Sequence, residues 1–173
     1  MTENQLRDII SLWENIPLLI QYISENPENI DLILSIAHDD SFVRNWRALW
    51  LIDKIHEKHP ELVIPYWPKL ISFLFQTNDP SKKRHLLKLI GLHDIPEENM
   101  ALLLNFCTDI FTSSTEPVAV RVHAMQILFR IALKEPDYAG ELIELIKHEI
   151  EFHGSAGISS RGKKLLHKLH QIR

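Results

Sequence analysis

The chain has a single cysteine, Cys107. No disulfide can form within it, which fits a reducing compartment and leads us to expect a cytoplasmic protein. Cys107 follows the apolar run Leu102-Leu103-Leu104-Asn105-Phe106 and is expected to be a buried, inert thiol. Glycine is scarce, at five of 173 residues, and β-branched runs are short, which disfavours an all-β fold. Excess positive charge is also missing. A formal net charge of -4 gives no general attraction to nucleic acid or to an anionic membrane. The start, Met-Thr-Glu-Asn-Gln-Leu-Arg-Asp, has no basic stretch leading into an apolar one, so no secretory signal is expected there. The most apolar stretch, residues 62–76, contains Lys69 and is interrupted by Pro65 and Pro68. It is too short and too broken for a membrane span.

What is present is enough apolar sequence for a core, 45% against 24% charged residues, in a length typical of one domain. It also repeats. Arginines stand at 7, 44, 84, 121 and 161, at intervals of 37, 40, 37 and 40 residues. A period of this size marks stacked supersecondary units. Five residues after each arginine come Leu12, Leu49, Leu89, Gln126 and Leu166, and eight after the last four come Ile52, Leu92, Phe129 and Leu169. Positions three apart share a helix face, so each segment is expected to bury a stripe. Thr2, Asp39 and Asp79, five residues before the first three arginines, are N-cap types. Pro80 and Pro117 suit a first helical turn.

These marks predict arginine-bearing helices over about 3–14, 41–58, 81–93, 117–134 and 160–172. Their partners are expected over about 28–38, 60–76, 97–112 and 136–152, opened by Pro27, Pro60, Pro96 and Pro136. Pro65 and Pro68 are expected to distort the second partner, and a short extra helix is expected over 17–25.

Val120-Arg121-Val122-His123-Ala124, with Leu128 four residues on, resembles the second helix of a HEAT repeat. Val43-Arg44 with Ala48 is a looser copy, and Lys83-Arg84 and Ser160-Arg161 keep the arginine and the stripe. The resemblance implies an all-α, right-handed α-α superhelix, a HEAT/armadillo-like solenoid of about four to five helix pairs, forming one domain over residues 1–173. It also implies that the arginines pair with acidic or carbonyl groups near the turn of an adjacent repeat. Asp39, Asp40, Asp79 and Glu116 are the expected partners.

Several segments imitate catalytic motifs. Gly157 to Lys164 resembles a phosphate-binding loop, but that motif needs Ser or Thr after its lysine, and Lys164 stands there. A flexible loop entering the last helix is expected instead. His148-Glu149 with His153 misses the zinc-protease spacing: the histidines are five apart, not four, and are expected to point away from each other. No complete catalytic constellation is present, so a binding role is expected over an enzymatic one, with no cofactor and no metal.

Second helices of HEAT-like stacks usually line the concave side. One stripe on them carries Asp53, His93, Arg130 and His170, and seven residues earlier Trp46, Leu86, His123 and Lys163. Trp46, Asp53, His93, His123, Arg130 and His170 are therefore the candidate partner-binding residues, since grooves combine aromatic and polar groups. The basic segment 161–173, with an apolar stripe of Leu165, Leu166, Leu169 and Ile172, is expected to be a capping helix. The expected partner is another protein. The alternative is a DNA-binding protein related to the HEAT-like alkylpurine DNA glycosylases. That family uses Trp, Asp and Arg in a basic cleft, which Trp46, Trp50, Asp53 and Arg130 imitate. Net charge disfavours it.

Overall fold

The computed structural model describes residues 1–172, and side chains through Gln171. Arg173 and the side chain of Ile172, both counted above in the basic segment, lie outside the described residues. Every regular element among them is helical. The helices group into two compact units, residues 1–77 and 78–173.

The first unit opens with α1 (Glu3–Leu12). The Thr2 hydroxyl accepts from the Gln5 amide, and the Gln5 side chain accepts from the Thr2 amide. This reciprocal cap satisfies two of the amides a helix start leaves open. α1 ends at Trp13, whose backbone is left-handed at φ 62. Then come α2 (Ile16–Glu25), α3 (Asn29–His38) and α4 (Trp46–Lys58). The expected helix over 60–76 is broken into α5 (Pro60–Val63), a 3-10 turn (Ile64–Tyr66) and α6 (Trp67–Gln76). Pro65 and Pro68 remove two backbone donors there, the distortion the sequence predicts. Leu6 and Ile10, Ile23, Ile33 and Ile36, Leu49 and Ile52, and Leu70 and Leu74 fill the core.

The second unit contains α7 (Pro80–Ile90), α8 (Glu97–Thr112), α9 (Val118–Lys134), a 3-10 turn (Pro136–Tyr138), α10 (Ala139–His153) and α11 (Ala156–Ile172). Asp79 caps α7 by accepting from the Ser81 amide. Leu86 and Leu89, Phe111, Ala124 and Leu128, Ile146, and Ile158 and Leu169 form the core. Cys107 is fully buried within it, and burial pushes its thiol pKa up, so it is inert as expected.

Four sequence expectations are corrected. α4 starts at Trp46, not near residue 41. Asp39 does not cap it; its carboxylate instead accepts from the amide and hydroxyl of Ser41. Such a local side-chain turn competes with helix formation. α11 starts at Ala156, so the glycine-serine segment is helix, not a flexible loop. Leu12, the last residue of α1, and Leu92, two residues past the end of α7, are exposed. Arg84 is exposed, and its neighbour Lys83 makes the ion pair with Glu116, at 2.5 Å.

Of the other repeat arginines, all but Arg161 bind a group at a helix end. Arg7 pairs with Asp39 at 2.8 Å. Arg44 and Arg47 both donate to the Ser11 carbonyl, at 2.6 and 2.8 Å. Arg121 donates to the Phe111 carbonyl at 2.8 Å and to Glu149 Oε2 at 2.6 Å. Arg161 donates to the Gln126 side chain at 3.1 Å. The final carbonyls of a helix have no partner within it, and Arg44, Arg47 and Arg121 supply one at the ends of α1 and α8.

Candidate functional site

In the first unit, the end of α1 meets the start of α4 at a cluster of tryptophans. The Arg44 and Arg47 bonds to Ser11 hold the two segments together. The left-handed turn at Trp13 then brings its indole over α4. Its ring centroid lies 4.3 Å from that of Trp50 and 6.1 Å from that of Trp46. Arg47 lies over Trp13 at 4.4 Å and Lys54 over Trp50 at 5.7 Å. A cation over an indole face is attracted by the ring quadrupole. Leu12 at 66% and Val43 at 88% exposure add apolar surface on the segments that Arg44 and Ser11 join. Of the cluster, the sequence expectation included Trp46 but missed Trp13 and Arg47. The available signal was the Trp13-Glu14-Asn15 step, where a helix ends.

The remaining candidates do not form one open stripe. Asp53 is only 2% exposed, and Leu86 is fully buried. In the second unit, Arg130 donates to the Gly91 and Leu92 carbonyls at 3.1 and 3.2 Å, and Lys134 donates to the Ile95 carbonyl at 2.7 Å. Arg130 thus ties α9 to the end of α7. His93 lies beside it half-buried, and its pKa is lowered by burial and by the Arg130 charge. His123 lines a groove of about 500 Å³ with Val118, Gly157, Arg161 and Lys164, and a second groove carries Lys163, His167 and Lys168. His170 is exposed on α11.

The C-terminal part of α10 differs from its sequence expectation. The Nδ1 atoms of His148 and His153 both face the Glu149 carboxylate, at 3.3 and 3.2 Å, instead of pointing apart. Glu149 and His153 are four residues apart, and His148 reaches in from the side.

The family model for a HEAT repeat domain matches residues 2–169. The chain belongs to the HEAT repeat family. Comparison with curated proteins gives no match, and comparison with solved structures gives none. Within the HEAT frame, α3 with α4, α8 with α9, and α10 with α11 are helix pairs; Arg121 and Arg161 lie on the second helix of their pairs, and Arg44 lies in the turn just before α4. No helix of the described residues is long and apolar enough to cross a membrane. A HEAT scaffold supplies surface without needing a catalytic centre.

Proposed function

We propose that the chain is a non-enzymatic scaffold whose partner is another protein, docked on the tryptophan surface of the first unit. The observation that carries this reading is the cluster of Trp13, Trp46 and Trp50 with Arg47 and Lys54, edged by exposed Leu12. Tryptophan and arginine dominate the energetics of protein interfaces. The cluster sits in an acidic half, with eleven Asp and Glu against six Lys and Arg in residues 1–77, which favours a protein over a polyanion. A glycosylase would need Asp53 to face the sugar, and its burial argues against that. The family match spans both units, and we read residues 1–173 as one helical-repeat domain. A cytoplasmic location is supported by the lone buried thiol.

The test places a photo-crosslinking residue at Leu12. Val43→Glu should abolish capture of a protein partner without lowering the melting temperature, and Trp46→Ala should abolish it with the helical content retained by circular dichroism. Val43 is so exposed that its variant has no folding cost to confuse the result. Equal capture by both variants, or tight and salt-sensitive binding of duplex DNA by the wild type, would overturn the reading.

A further inference from the structure

We infer that His148, Glu149 and His153 form a binding site for a divalent transition metal of the zinc class. Each offers one ligand atom, and all three atoms lie within 4.8 Å of one another. Bound to one ion at about 2.0–2.2 Å, nitrogen and oxygen ligands sit somewhat closer than this. The two imidazoles are about half exposed, at 56% and 44% of the side chain, so small χ rotations close the difference. Two imidazoles and a carboxylate are a donor set that suits zinc, cobalt or nickel over magnesium or calcium. Exposure of the histidines leaves the fourth position to water.

Three features of the surroundings favour the ion. The site lies within the last six residues of α10, near the negative end of the helix dipole, which attracts a cation. Glu149 is 2% exposed and fixed by Arg121, so the carboxylate is oriented before any metal arrives. Ligating carboxylates are commonly held in this way by an outer hydrogen bond. Arg121 and His153 both face Oε2, while Oε1 lies toward His148. A carboxylate has about four acceptor positions, so one guanidinium bond does not exhaust it. Coordination through Nδ1 moves the neutral imidazole proton to Nε2, on the solvent side, so no proton need be lost.

The test uses the purified full chain, stripped with a chelator, and Zn²⁺ or Co²⁺ alone as probe. One Zn²⁺ per chain should bind and raise the melting temperature, reversibly on adding chelator. Co²⁺ should give the visible absorption of a four-coordinate N/O site. His148→Ala and His153→Ala should each weaken binding at least about tenfold. Both are surface positions, so circular dichroism should show the fold unchanged. Glu149→Gln is avoided because it would also disturb Arg121. A double variant, His167→Ala with His170→Ala, should leave binding unchanged. No saturable Zn²⁺ binding, or binding that survives both single variants, would overturn the inference, as would loss of binding in the His167/His170 control.

Discussion

Arg121 and Arg84 occupy the same position of the repeat and have opposite surroundings. The Arg121 side chain is 6% exposed and its partner Glu149 is 3% exposed. Removing one member of a buried pair leaves an uncompensated charge, a loss of about 3–5 kcal/mol. Arg84 is exposed, and surface substitutions usually stay within about 0.5 kcal/mol. Urea denaturation should therefore show Arg121→Ala far less stable than Arg84→Ala, and similar midpoints would contradict the role given to Arg121. The periodic arginines were legible in the sequence because a stacked fold needs a recurring interface. Which of two adjacent cations turns inward was not, since Lys83 and Arg84 differ only by a helix rotation. His93 supplies a second test. Its pKa lies below 6.5, lowered by burial and by Arg130. The folded chain thus favours neutral His93, and this contribution to stability is present above pH 6.5 and lost as pH falls through the folded pKa. Its NMR titration midpoint should fall below that of a solvent-exposed histidine and move upward in Arg130→Gln.

Element boundaries were best read where chemistry punctuates the chain. Asp79-Pro80 opens α7, and Pro96 followed by two glutamates opens α8. The start of α4 was misread because Asp39 has two competing uses, a helix cap or a local turn with Ser41. In the fold, Asp39 makes the turn with Ser41 and pairs with Arg7 through its other oxygen. The glycines of the last helix were misread for a related reason. Sequence alone cannot tell a glycine needed for bending from one needed for closeness. A Cβ on Gly162 would lie 2.8 Å from Ile150 Cδ1 and 3.1 Å from Ile146 Cγ2. The residue lets α11 approach α10. Gly162→Val should cost about 1–3 kcal/mol through overpacking, despite the better helix propensity of valine. A Gly162→Val chain as stable as the wild type would show that α10 and α11 can separate without loss.

At the scale of the whole chain, the all-helical class and the repeat were legible from period and patterning. The candidate surface was only partly so. Trp46 was found because it lies on a second helix. Trp13 was not, because its position depends on a left-handed residue and on two arginines that follow more than thirty positions later. The reading of residues 1–173 as one domain makes a prediction about cooperativity. Heat or urea should unfold both units in a single transition, and well-separated midpoints would overturn it. The placement of the tryptophans supplies the instrument for this test. All four, at positions 13, 46, 50 and 67, lie within residues 1–77. Fluorescence excited on the red edge of indole absorption therefore reports the first unit alone, while far-ultraviolet dichroism reports both. With Trp13 and Trp50 almost in contact, excitation migrates between rings, so the loss of that transfer gives a built-in optical clock for the opening of the first unit.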